Sequence, residues 1–122
     1  MSSKRRDADY PNDILEAMER IITYTSELSY AQFMEATRTQ DAVLRNTEVI
    51  GEALKRLSPP LRKRYPAVPW KDIAAMRDKV IHHHFGINYD IVWAVASAEV
   101  PQLRPTIQTI LKQIKSYPGR PM

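Results

Sequence analysis

Ile14, Met18, Ile21, Ile22, Thr25 and Leu28 recur mostly at steps of three and four, the spacing that lays one apolar stripe along an α-helix. The stepping returns at Val43, Ile50, Leu54 and Leu57, at Ile73, Met76, Val80 and Ile81, and at Leu103, Ile107, Ile110, Leu111 and Ile114. The alternating pattern of a half-buried strand appears nowhere. A chain whose apolar residues lie only on helical stripes has to bury them helix against helix. The expected fold is therefore all-α: an antiparallel bundle of four main helices with short extra turns.

Turn-forming residues divide the pattern. Pro11 and Asn12 stand where a first helix starts. Tyr30, Phe33 and Met34 suggest a short helical turn or an ordered loop. A longer helix is predicted from about Thr39 to Leu57, with Ala42, Val49 and Ala53 beside its apolar face. Gly51 in its middle costs about 1 kcal/mol relative to alanine, which predicts close approach of a neighbouring helix or a partner chain. Ser58-Pro59-Pro60 ends that helix, and Leu61 to Tyr65 can form one further turn. Tyr65-Pro66-Ala67-Val68-Pro69-Trp70 reads as a rigid connector, since each proline constrains itself and its predecessor.

A third main helix is expected from Trp70, with Asp72 in its first turn where the macrodipole favours negative charge, ending around His83 to Gly86. Asn88, Tyr89 and Asp90 restart a helix carrying Ile91, Val92, Trp93 and Val95. Pro101 and Pro105 predict that this last helix is kinked near Pro101 or built from abutting pieces. Residues 1–9 read as a flexible basic tail, 10–115 as a single helical domain, and 116–122 as a second flexible tail.

At 122 residues with a formal charge of +4, the chain is long enough for one core and mildly basic. Much of the charge lies in Lys4-Arg5-Arg6 and in Lys55, Arg56, Arg62, Lys63 and Arg64. That suits a polyanionic partner, and equally a solvated basic surface. With no cysteine, neither a disulfide framework nor a thiolate zinc site can form. No apolar run approaches the roughly 20 residues of a membrane span. The N-terminal stretch is polar and has no signal-peptide core, so a cytoplasmic location is expected.

The chemistry-bearing run is Arg77-Asp78-Lys79-Val80-Ile81-His82-His83-His84-Phe85-Gly86. Consecutive helical residues point about 100° apart, so three adjacent histidines cannot converge on one ion from regular helix. No HExxH pair is present either, and neither a metal nor a cofactor is expected. A surface histidine run without a role is the plain alternative.

Arginine beside histidine suggests RNA cleavage by attack of a 2′-hydroxyl on the adjacent phosphorus. That reaction needs a base, an acid and positive charge on the phosphorane oxygens. A two-fold dimer joining two such runs would supply a fuller site. On an ideal helix Arg77 and His84 lie about 20° apart and His82 about 140° from Arg77. A regular helix therefore favours His84 as the face-mate, and an unwound one lets His82 swing round. Arg77 could instead form a surface salt bridge with Asp72 or Asp78. Asp78 could orient Arg77 or a histidine, or simply be solvated.

Arg77-x4-His82 resembles the R-x(4–6)-H motif of the HEPN superfamily of all-helical domains. The likeness extends through Arg45-Asn46-x-Glu48-x-Ile50-Gly51-Glu52-Ala53, Tyr65-Pro66-x-x-Pro69-Trp70, Met76-Arg77-Asp78-Lys79, and Phe85-Gly86 followed by Ile91-Val92-Trp93. These blocks resemble the HepT-like toxins of HepT–MntA toxin–antitoxin systems over residues 10 to 115. The resemblance implies a HEPN-type bundle and a metal-independent endoribonuclease working as a homodimer, with its motifs at the interface. Carried over by position, Arg77 and His82 are the catalytic pair; Asp78 and His84 are supporting candidates from the residue geometry alone, and His84 is equally a tolerated aromatic-sized replacement. The resemblance also implies a cognate nucleotidyltransferase antitoxin that silences the toxin by attaching AMP.

One position departs from the pattern. His84 stands where the group often has an AMP-accepting tyrosine, which puts that mode of silencing in doubt. The competing reading is an inactive HEPN module that binds a nucleotidyltransferase or a nucleotide. Generic nucleic-acid binding is disfavoured because the chain lacks interleaved aromatic and basic residues.

Overall fold

The computed structural model describes residues 9–82 and 86–115. Residues 1–8 of the expected basic tail, the C-terminal tail from Ser116, and His83, His84 and Phe85 lie outside the described residues, whereas Asp9, assigned to that tail from sequence, opens the first helix. The helices are α1 (Asp9–Thr25), α2 (Tyr30–Glu35), α3 (Thr37–Lys55), α4 (Pro59–Arg64), α5 (Trp70–Ala74), α6 (Met76–Val80), α7 (Tyr89–Ala94) and α8 (Val100–Lys115), with a π-helical turn at Val95–Glu99 joining the last two.

The all-α expectation holds, and the core is the one the stripes describe. Ile14, Met18 and Ile21 of α1 are buried with Val43, Ile50 and Leu54 of α3 and with Ile107 and Ile110 of α8. Thus α1 is the central helix, packed on α3 along one side and α8 along the other. Thr25 and Thr47 are buried inside helices, and each hydroxyl donates to the carbonyl four residues back, at 2.8 Å and 2.9 Å. Gln40 donates to the carbonyl oxygens of Phe33 and Met34 at 3.0 Å and 3.1 Å, tying α3 to the end of α2.

Local signals explain where the short helices begin. Ser29 and Gln32 form a capping box: the serine hydroxyl accepts from the Gln32 N–H while the glutamine side chain accepts from the Ser29 N–H. That pairing satisfies two of the donors a helix start leaves open. Ser58 caps α4, with proline in its first positions, where a missing N–H costs nothing. The connector expected from Tyr65 to Trp70 is fastened by the Trp70 indole, which donates to the Arg62 and Tyr65 carbonyl oxygens.

Three boundaries differ from expectation. α3 starts two residues before Thr39 and ends at Lys55. The helix predicted from Trp70 to His83–Gly86 is two short helices broken at Ala75, and the second stops at Val80. Beyond it Ile81–His82 (β1) pairs antiparallel with Gly86–Ile87 (β2), a two-residue ladder too brief to leave an alternating signature in the sequence. Gly86 has φ 81°, a left-handed conformation that glycine adopts without a Cβ clash. It serves the strand return, not the helix stop anticipated for it. Asn88 then caps α7, accepting from the Ile91 N–H.

The predicted irregularity near Pro101 is the π-helical turn, where the Val100 N–H donates to Val95 O, five residues back. Proline lacks an N–H and its ring crowds the carbonyl four residues earlier. Widening the turn just before Pro101 accommodates this, and a π-bulge is a recognised way to do so. Pro105 stays inside α8 on its exposed side. No helix among the described residues is long and apolar enough to cross a membrane.

Candidate functional site

Arg77 is carried on α6, between Met76 and Val80, which anchor that helix in the core. Its side chain is 41% exposed and faces α3. Nε lies 3.9 Å from a Glu48 carboxylate oxygen and Nη1 lies 3.5 Å from Asp78. Charge-assisted hydrogen bonds run at about 2.7–2.9 Å, so neither carboxylate grips the guanidinium. A half-exposed arginine held loosely by two anions keeps donors to offer a third, such as a phosphate oxygen.

Gly51 lies beneath this side chain. A Cβ built there would stand 3.9 Å from Arg77 Cβ and 4.0 Å from Arg77 Cδ. Among the described residues its nearest neighbour is thus Arg77, at an ordinary contact distance that an alanine would also accept, so the close approach expected at this mid-helix glycine is not made within the chain.

Around Arg77 opens a groove of about 890 Å³, walled by α1, α3, α4 and the α5–α6 segment. It takes in Arg45, Lys55, Arg56 and Arg62 as well as Arg77, against Asp13, Glu48, Glu52 and Asp78. Glu52 faces Arg56 at 3.2 Å, one helical turn on.

The structure sorts the candidate residues as follows. Arg77 and Asp78 are together on α6, and Asp78 is 81% exposed. Asp78, not Asp72, is the aspartate paired with Arg77. His82 stands on β1, its backbone opposite Gly86. The chain has left the helix by then, so the ideal-helix argument favouring His84 as face-mate no longer applies, and His84 itself lies outside the described residues. Among the described residues no cluster of three or more histidine, aspartate or glutamate side chains is placed to hold a metal ion.

The sequence reading missed Glu48 as a partner of Arg77. Its only signal was its position three residues before Gly51 within a family-like block. It also missed the pair between Lys79 and Glu99, at 3.0 Å, which ties α6 to the π-helical turn. Nothing in the spacing of those two residues announces the contact.

A small all-helical bundle carrying an Arg-x4-His run is consistent with a HEPN-type bundle. The family model for ribonuclease HepT-like proteins matches residues 14–110. The chain is 47% identical over 103 residues to a protein of Methanocaldococcus jannaschii named "Putative RNase MJ0127", covering 84% of this chain and 85% of that one. It is 37% identical over 109 residues to the "Probable ribonuclease HepT" of Thermococcus cleftensis, covering 89% and 99%. A Caldanaerobacter subterraneus protein named "Putative RNase TTE0752" is 39% identical over 106 residues, covering 87% and 95%. No solved structure matches. This chain belongs to the family of HepT-like ribonucleases.

Proposed function

We propose that the protein is the toxin of a toxin–antitoxin pair, an endoribonuclease that cleaves RNA without a metal ion at a site shared by two copies of the chain. The observation that carries this reading is the loosely held Arg77 on the groove wall, followed five residues later in the chain by His82, where the helix has given way to β1. Membership of a ribonuclease family supports the substrate class.

In the proposed reaction the RNA 2′-hydroxyl attacks the neighbouring phosphorus. An imidazole takes its proton, the bond to the 5′-oxygen breaks, and an acid returns a proton to that leaving oxygen. The products are a 2′,3′-cyclic phosphate and a 5′-hydroxyl end. His82 moves a proton, and Arg77 neutralises the oxygens of the phosphorane through its planar fork. Asp78 orients Arg77, and His84 supports the proton transfers.

One such set gives one arginine and few proton carriers, whereas a two-fold pair doubles both at a shared seam. The partner that restrains the toxin is a cognate nucleotidyltransferase. With His84 at the position of the usual tyrosine, that partner acts here by occlusion or at another residue.

The test is expression of the chain in bacteria beside Arg77→Ala and His82→Ala, together with cleavage of purified RNA with and without EDTA. Growth arrest relieved by either substitution, with cleavage unaffected by EDTA, is the expected result. Equal tolerance of all three proteins would make the chain a non-cutting binding module. Loss of cleavage in EDTA would overturn metal independence.

A further inference from the structure

On α3, Arg45, Glu48, Glu52 and Lys55 follow one another at steps of three, four and three, so they share one face of the helix. The ten residue steps from Arg45 to Lys55 span roughly 15 Å. The whole face opens into the groove that holds Arg77, and its charges are not evenly distributed. The carboxylates sit in the middle and already have cations: Glu48 with Arg77, and Glu52 with Arg56. The ends are positive, with Arg45 at one and Lys55, joined by Arg62 from α4, at the other. Among the described residues none of these three end cations takes part in an ion pair. Arg45 and Lys55 are exposed and Arg62 is half-buried, so all three offer donors to a ligand in the groove.

We propose that this groove is the track of a single RNA strand, with Arg77 at the phosphodiester being cut, Arg45 holding a phosphate on one side of it, and Lys55 with Arg62 holding phosphates on the other. The proposal rests on the ribonuclease reading and extends it from one arginine to a binding surface. A polyanion matches the arrangement because repeated negative charges would meet cations at both ends of the trough. Phosphate at the centre also competes well with carboxylates that stand 3.5 Å and 3.9 Å from Arg77. Among the described residues Tyr10 is the one aromatic side chain on the groove wall, and these give bases little to stack on. Recognition by the track is therefore of the backbone, tolerant of sequence and strongly dependent on salt.

The experiment uses the full chain carrying His82→Ala, so that RNA is bound but not cut, and a fluorescent single-stranded oligoribonucleotide as probe. Affinity is measured across a series of salt concentrations for this protein and after adding Arg45→Gln, Arg62→Gln or both. Each substitution is expected to weaken binding and to flatten the slope of log affinity against log salt by about 0.7, the share of one phosphate contact on a single strand. Lys112→Gln removes an exposed charge on α8, away from the groove, and is expected to leave the slope in place.

Slopes unmoved by Arg45→Gln and Arg62→Gln overturn the track, as does an equal flattening by Lys112→Gln, which would mark generic charge attraction. Cleavage by the parent chain is assayed separately. A parent that cuts RNA with groove variants that bind normally sinks the track alone. A parent that cuts nothing sinks the ribonuclease reading, and the slopes still decide where RNA lies.

Discussion

Replacing Gly51 with alanine tests whether the groove floor is as open as the packing of α3 against α6 makes it. Glycine inside a helix is about 1 kcal/mol less favourable than alanine, because the unfolded chain has more freedom to lose. Against that gain stands whatever the new methyl would meet. The nearest atoms are Arg77 Cβ at 3.9 Å and Arg77 Cδ at 4.0 Å, ordinary van der Waals contacts that require nothing to move. The gain should therefore survive nearly whole. About 1 kcal/mol corresponds to a rise in melting temperature of about 3–5 °C for a domain of this size. Thermal unfolding is followed by circular dichroism at several protein concentrations, because the proposed pairing of two copies would make the midpoint depend on concentration. A gain in dilute protein that reverses as concentration rises would place the second copy directly over Gly51. A loss of 1 kcal/mol or more in dilute protein would refute the reasoning, since it would mean that Arg77 cannot yield the space its distances allow.

The residue before it should behave in the opposite way. Ile50 is fully buried, and Ile50→Ala is expected to destabilise by about 2–5 kcal/mol through lost burial and the cavity left behind; a change under 1 kcal/mol in chemical denaturation would show that the α1–α3 seam is not close-packed. Tyr30 donates its hydroxyl proton to Asp90, and that hydrogen bond, with minor desolvation and the nearby negative charge, raises its pKa above the usual 10.0. Because the folded state holds this proton more tightly, the contact's stabilisation is fully present below the unfolded tyrosine pKa and is lost as pH rises through the raised value. Tyr30→Phe should therefore remove the late-ionising part of the tyrosinate absorbance titration, and a titration curve that keeps that component would refute the assignment.

Much of the fold was legible because burial imposes a period. Met18, Ile21, Ile50, Ile73, Val80 and Ile107 lie in the core where the helical stepping placed them. A residue's place on a helical face depends only on its neighbours in the chain. The same locality made the breaks readable at Ser58-Pro59 and Pro101, since a proline acts on the turn it occupies. Ser29-x-x-Gln32 was also there to be read as a capping box, and its neglect left α2 undecided between helix and loop.

The path from Arg77 to Gly86 was misjudged for the complementary reason. Val80 and Ile81 continue a helical pattern, yet the helix stops at Val80 because Ile81 and His82 find backbone partners in Ile87 and Gly86. Strand pairing is decided by the partner segment as well as by the residues themselves, and two residues are too few to show a period.

The sequence by itself determined that this chain packs helix on helix, where its apolar stripes lie, and that arginine and histidine stand close along the chain in a HEPN-like run. Only the tertiary structure decided what surrounds Arg77. Glu48 comes from a helix 29 positions earlier in the chain, and Arg62 reaches the same groove from a third element. Such proximity arises from the packing of α3, α4 and α6 on one core, a long-range arrangement that no spacing within a single segment encodes.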